Sequence, residues 1–431
     1  MPIDPLHWIG QLNLPGTQRC RLPRDLDEVL DVGPEDPGGS DVPAEAVERV
    51  WDAARAIYAS GAHPAISLCV RRRGVVVLNR AIGHARGNAP QDPPDAPKLS
   101  VSTETPFDIF SASKAITAMV IHKLDEKHVL HLEDRVCDFI PEFAKHGKDR
   151  ITLRHLLAHK AGIPNLPPDA MDLDLLGQPE KVVEIMCDAE LRSRPGRVLA
   201  YHAVSGGFVL AEVVRRATGD DICTVLEREL IAPLGYRWMR YGVRQEDLPL
   251  VARDAVTGPP VPWPISTILR NALGAEIGHV IELTNDPRYL TGIVPSANIV
   301  TTAGELCAFY QCLLDGGEQD GARVLEPATI RHATGESAWW EIDFTLGLPI
   351  RYGLGFMLGS HSVSLFGSDN ERAFGHVGFS NIFSWADPDR ALSVALCSNG
   401  KPVLSLHAVR LVQWLVAIGR AFPKLEHGAR D

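Results

Sequence analysis

The residues of this chain best suited to chemistry are Ser111 and Lys114, in the run Phe110-Ser-Ala-Ser-Lys114. A serine and a lysine three residues apart lie on one helix face, one turn apart, so the amine can reach the hydroxyl. Serine attacks a carbonyl at neutral pH only with a base beside it, and lysine serves only where desolvation makes its amine neutral. A buried helix beginning at Ser111 would add positive potential and backbone N–H groups, that of Ser111 included, for a developing oxyanion. The chemistry this predicts is acyl transfer through an ester on Ser111. The spacing alone is weak, because a chain of this composition holds roughly one Ser-x-x-Lys by chance. A second copy is present, Ser398-Asn-Gly-Lys401, and its Asn-Gly turn followed by Pro402 breaks a helix. Those two side chains are not expected to meet.

Other constellations carry less. His155 and His159 have the i, i+4 spacing of a metal pair but no third ligand nearby, so no metal site is assigned. Gly353-Leu-Gly-Phe-Met-Leu-Gly359 imitates a phosphate loop, yet no helix start follows it. No Gly-x-Ser-x-Gly elbow exists, which argues against a conventional α/β-hydrolase. Trp339, Trp340, Trp263 and Phe344 are candidates for lining an acyl channel, against the commoner role of aromatic residues as core. No cofactor is implied.

Ser111 and Lys114 need elements to hold them. Residues 1–42, rich in Pro, Gly and Asp, read as an extended arm. Apolar residues from Ala46 to Ile57 recur at spacings of three and four and predict a helix. Ala65–Val70 and Gly74–Leu78 read as a hairpin turned by Arg71–Arg73. A long helical region starts near Ser111, and further helices fit 152–159, 179–187, 206–218 and 222–230. Gly242–Pro295 shows no clear strands and could form a flap over a pocket. Strands return at Tyr352–Leu358, Ser380–Asp387 and Leu392–Ser398, and a last helix spans about 403–418. The pattern predicts an α+β fold: an antiparallel sheet flanked by helices, built from residues 43–115 and 296–431, with a mainly helical subdomain over 116–295.

Composition narrows the function classes. The 431 residues are 45% hydrophobic and 23% charged with a net charge of -11, which argues against nucleic acid or an anionic membrane as partner. Met1–Gly10 lacks the pattern of a secretory signal, and no run of apolar residues is long enough to span a membrane. Eight scattered cysteines without a Cys-x-x-Cys pair suit reduced thiols, so a cytoplasmic protein is expected, with a small molecule rather than nucleic acid or a membrane as its partner.

Several segments together resemble the serine β-lactamase and D-alanyl-D-alanine peptidase superfamily, in particular the class C β-lactamase-like branch with its family VIII esterases. They are Thr105–Lys114, Ile151–Ile163, Pro195–Ala203 running on to Gly219, Tyr352–Phe356 and Phe374–Ser380 with Asp387-Pro388, in that order. The resemblance covers about residues 65–400 and implies the serine β-lactamase or transpeptidase-like fold. By position it implies that Ser111 forms the acyl-enzyme and Lys114 takes its proton. Tyr201 would pass a proton to the leaving group or activate the deacylating water; the split between Lys114 and Tyr201 stays open. His376 and Gly378 stand at the third motif, and the Phe379 N–H would complete the oxyanion hole. Two departures bear on substrate. Ala203 stands where the peptidases and lactamases have an amide-binding Asn, and His376 stands where a lysine is common. Both tilt the expectation from β-lactams and D-alanyl peptides toward esters, with acyltransfer to other acceptors as an alternative. A non-catalytic relative would be expected to have lost the serine, lysine or tyrosine.

Overall fold

The computed structural model describes residues 15–166, 172–403, 405 and 407–426. Its main sheet has ten strands. Nine lie on one path: β1 (Leu30–Val32), β2 (Ala65–Arg72), β3 (Val75–Arg86), β4 (Ala338–Asp343), β5 (Leu348–Tyr352), β6 (Met357–Leu358), β7 (Phe374–Gly378), β8 (Ile382–Asp387) and β9 (Leu392–Ser398). Their spatial order is β1-β3-β2-β9-β8-β7-β6-β5-β4, and the short strand Leu99–Ser100 pairs with β3. Every pairing is antiparallel. The central neighbours β2 and β9 therefore come from opposite ends of the chain, with Leu68 opposite Leu396.

Both central strands are buried on both faces, and the residue sizes alternate. Ile66, Leu68 and Val70, with Val394 and Leu396, pack toward helix α1 (Ala44–Tyr58) and the C-terminal helix (His407–Ala421). Ala65, Cys69, Ala395 and Cys397 face the other way, toward helix Ala303–Leu314. Successive strand side chains point to opposite faces. Small residues on one face let a helix approach closely, and large ones on the other fill the wider gap.

The arm is not wholly loose. β1 pairs with the edge of β3, and Arg80 holds Glu35 and Glu48 through its guanidinium. The part of the arm before residue 15 lies outside the described residues.

Between β3 and β4 the chain is mainly helical. At its centre is α2 (Ser113–Glu126), buried nearly all round from Ser113 to Leu124, as a helix passing through a core must be. A small sheet of Phe107–Asp108, Ile299–Thr301 and Arg240–Tyr241 ties its entrance to the rest. Residues 242–295 hold a 3-10 turn, Gln245–Leu250, and three short α-helices, Ile265–Leu273, Ile277–Thr284 and Pro287–Thr291, where the sequence shows no clear strands. The predicted strand Tyr352–Leu358 is two strands. At the break, Gly355 has a φ of 100° and presses on α2, where any Cβ would collide with the Ala118 side chain.

Candidate active site

Ser111 sits on a tight turn, Phe110–Ala112, that leads into α2. The turn is held by its own backbone neighbours. Ile109 N–H donates to the Ile299 carbonyl at 3.0 Å, and the Ser113 hydroxyl accepts from Ile299 N–H at 3.0 Å. Phe110 adopts φ 46°, a left-handed conformation unusual for a bulky side chain. The Asp108 carboxylate accepts its N–H at 3.0 Å, its ring meets Phe379 edge-on, and Lys401 lies 4.4 Å from its centroid. Such strain persists only where surrounding contacts over-determine it, and here they do.

Lys114 is 7% exposed. Its Nζ stands 3.3 Å from Ser111 Oγ, 2.7 Å from the Ala203 carbonyl and 3.0 Å from the Ser296 carbonyl. No carboxylate is among these partners. Burial pushes the amine well below the usual lysine range. In the neutral form, two N–H bonds serve the two carbonyls and the lone pair is left for the Ser111 hydroxyl. Ala203 thus keeps a place in the site through its backbone oxygen, although its methyl group can bond nothing. Ser296 reaches Lys114 because helix Ser205–Thr218 presents Gly207, where a Cβ would overlap the Ser296 backbone and hydroxyl.

Tyr201 lies against Lys114, whose Nζ is 4.8 Å from the phenol ring centroid. Burial pushes the phenol up, with a Ser111 hydrogen bond acting against it, so the proton stays on at neutral pH. Two groups position this tyrosine. His159, at φ 56°, packs its ring 4.6 Å from that of Tyr201 and accepts the His202 N–H on Nδ1 at 3.2 Å. Asp343 is fully buried and accepts the N–H of Tyr201 (3.1 Å), Thr345 (2.9 Å) and Leu346 (3.0 Å), with the Tyr352 hydroxyl at 3.3 Å. Composition and spacing gave no sign of Asp343 or Ser296. A polar residue near a hairpin tip reads as solvated, and a backbone carbonyl has no residue type to betray it.

His376 stands on β7 with its ring 6.3 Å from that of Tyr201. Burial, then the nearby Lys114, pull its pKa down to about 3, so it carries no charge at neutral pH. Its Nδ1 donates to the Val377 carbonyl at 2.9 Å, which leaves Nε2 as a buried acceptor. Gly378, the last residue of β7, abuts the Phe110–Ala112 turn, and a Cβ there would overlap the Ile109 carbonyl oxygen. That absent side chain brings Phe379 beside Phe110, with ring centroids 6.0 Å apart. Ser111, Lys114, Tyr201, His376, Gly378 and Phe379 are therefore gathered at one place.

The remaining candidates fall elsewhere. Ser398 donates its hydroxyl to the Asn381 carbonyl at 3.1 Å. Lys401 donates to the Ser398 carbonyl at 2.9 Å and pairs with Asp254 at 3.1 Å, so amine and hydroxyl do not meet. His155 accepts the Thr152 N–H at 3.2 Å as part of a helix cap, which uses one ring nitrogen. Among the described residues no three His, Cys, Asp or Glu side chains gather as a metal site.

Two adjoining hollows open at the site. One of about 140 Å³ contains Ser111 and Phe379 and is walled by apolar side chains, including Leu273, Val280 and Leu283 from the short helices of residues 265–284. The other, about 1010 Å³, shares Leu166, Ala203, Val204 and Leu273 with it and widens toward Arg192, Arg270 and Phe344. Of the four aromatic channel candidates, Phe344 lines this larger cleft, and Trp263 is 80% exposed and lines neither hollow. The side chains of Trp339 and Trp340 lie outside the described residues.

A mixed helix and antiparallel-sheet fold, with a serine and a buried lysine at the head of its central helix, defines a class of serine hydrolases. The chain belongs to the Beta-lactamase family, whose profile matches residues 47–417. It is 28% identical over 305 residues to the Esterase/beta-lactamase LipL of Mycobacterium tuberculosis, covering 68% of each chain. A family VIII carboxylesterase superposes with a TM-score of 0.73 at 25% identity, over 88% of this chain and 98% of that one. EstA from Arthrobacter nitroguajacolicus Rue61a does so with a TM-score of 0.71 at 26% identity, over 89% and 99%. A penicillin-binding protein homologue from Caulobacter crescentus gives 0.72 at 25%, over 90% and 99%. The protein is thus a hydrolase of the serine β-lactamase fold. Among the described residues no helix is long and apolar enough to cross a membrane.

Proposed function

We propose that this hydrolase is a carboxylesterase that cleaves short- to medium-chain esters through an acyl-enzyme on Ser111. The observation that carries this reading is the Lys114 amine, buried with no carboxylate among its described partners and 3.3 Å from Ser111 Oγ. The neutral amine takes the hydroxyl proton as Oγ attacks the ester carbonyl. The N–H groups of Ser111 and Phe379 receive the oxyanion. Tyr201, whose phenol holds its proton, delivers one to the departing alkoxide and recovers it from Lys114; water then releases the acid by the reverse path. This assigns the base role to Lys114 and the donor role to Tyr201. His376 and Gly378 shape the strand on which the carbonyl rests.

Ester preference over amide or β-lactam rests on Ala203, which offers no side-chain hydrogen bond to a substrate amide, and on an uncharged His376. The apolar hollow at Ser111 suits a short acyl chain. Labelling with a fluorophosphonate and, separately, with a penicillin tests the reading by mass spectrometry. The expected result is an adduct on Ser111 from the first reagent and none from the second. Ser111→Ala should lose the adduct and about 10³-fold or more of turnover. A stable penicilloyl adduct on Ser111 would instead favour a lactam or peptide substrate, and an adduct on another residue would remove the basis of the proposal.

A further inference from the structure

The larger cleft is unusual for this chain in its charge. The protein has 54 acidic and 43 basic residues, yet no described residue lining the cleft is acidic, and two are arginines. Arg270 is already held by Glu276 at 3.3 Å. Arg192 donates its backbone N–H to the Gly162 carbonyl, and its guanidinium has no ion pair or hydrogen bond among the described residues. Asn165, Asn271 and Thr345 line the same space, beside Phe344 and Ile268, which are 75% and 42% exposed. An arginine with no ion-pair partner among the described residues, lining a cleft with apolar side chains and neutral amides, fits a molecule with an apolar body and an anionic end.

The position of the cleft says which half of an ester would occupy it. The hollow holding Ser111 and Phe379 is small and apolar, as an acyl pocket should be. Val198 and Ala200, which lead into Tyr201, line the larger cleft and not the small hollow, while Ala203 and Val204, which follow it, line both. A leaving group protonated by Tyr201 departs on that side. We propose that the alcohol portion of the substrate is the larger half and carries a carboxylate that Arg192 reads. This rests on the esterase reading above. Arg192 is the candidate cation because it lines the cleft while the other arginine there, Arg270, is held by Glu276.

The test uses three acetate esters on the full-length protein: those of 3-(4-hydroxyphenyl)propanoate, of its primary amide, and of its quaternary ammonium analogue. The expected order of kcat/KM is anion, then neutral, then cation, with the anion ahead of the neutral ester by roughly three- to tenfold. Arg192→Ala should bring the anion-to-neutral ratio close to one and leave the neutral ester within about twofold, which also reports that the variant is folded. Arg192→Glu should reverse the order, and salt should erode the preference in the unmodified protein. A ratio at or below one, or an unchanged ratio in Arg192→Ala, overturns the proposal. Turnover of the neutral ester without charge preference sinks this inference alone. Absence of both turnover and fluorophosphonate labelling at Ser111 sinks the esterase reading and this inference with it.

Discussion

An amine buried against two carbonyls, with neutral imidazoles of His159, His202 and His376 around it, has little reason to stay charged. The pKa values of His202 and His376 are both drawn down to about 3, chiefly by burial. Neither imidazole changes charge between pH 5 and 8, so the acid limb of the activity profile should belong to Lys114. In the proposed mechanism Lys114 is the base. The unprotonated amine is the active form, so kcat/KM should fall about tenfold per pH unit once pH drops below the depressed lysine pKa, and flatten above it. A pH–rate profile with a neutral ester measures this; a profile that rises toward acid would assign the base to another group. Lys114→Arg tests the same point, since a guanidinium keeps its proton throughout the accessible range. Its kcat/KM should drop roughly 10²- to 10⁴-fold at every pH, with thermal melting used to show that the fold survives.

At the scale of elements, the site exists because a turn, a strand and a loop approach one another more closely than side chains normally allow. Gly378 makes one such contact, packed on the backbone of Ile109 rather than on a flexible side chain. Gly378→Ala should push β7 away from the nucleophile turn. About 1–3 kcal/mol of stability should be lost in urea unfolding, and kcat should fall roughly 100-fold with a smaller change in KM. Unchanged kcat would mean that the strand takes no part in the oxyanion site. Much of this frame was legible in the sequence. Spacings of three and four marked α1, apolar runs bounded by turns marked β2 and β9, and the Asn-Gly turn set Ser398 apart from Ser111. What escaped were features with no local signature. The helices of residues 265–291 are five to nine residues long, too short for periodicity to stand out beside four nearby prolines. The Tyr352–Leu358 run looks like one strand because the helix that Gly355 must touch lies more than 200 positions earlier in the chain. Asp343 becomes a clamp for Tyr201 only once the hairpin folds its carboxylate inward.

The whole molecule is closed by a sheet whose two halves come from opposite ends of the chain, and the seam beside Ser111 is made of buried ionisable groups. Asp108 leads into the turn that holds Ser111, Lys401 follows the last strand, and Asp254 comes from the helical region between them. One ammonium faces two carboxyl groups there. Burial, and then the Asp254 carboxylate, push the Asp108 carboxyl well above the usual range, and burial takes Asp254 up to about 6. A group whose folded pKa is raised binds more protons in the native state than in the unfolded chain, where an aspartate titrates near about 4. Stability from Asp108 is therefore greatest below the unfolded value and is lost as pH rises from there toward the raised one. Asp108→Asn keeps an oxygen to accept the Phe110 N–H but cannot ionise, so it should lack that component of the slope. Urea unfolding at pH 4.5 and pH 8 should show the variant gaining on the native protein at the higher pH. An equal difference at both values, or a gain only in acid, would mean that Asp108 is ionised in the fold and that its negative charge, with that of Asp254, is balanced by Lys401.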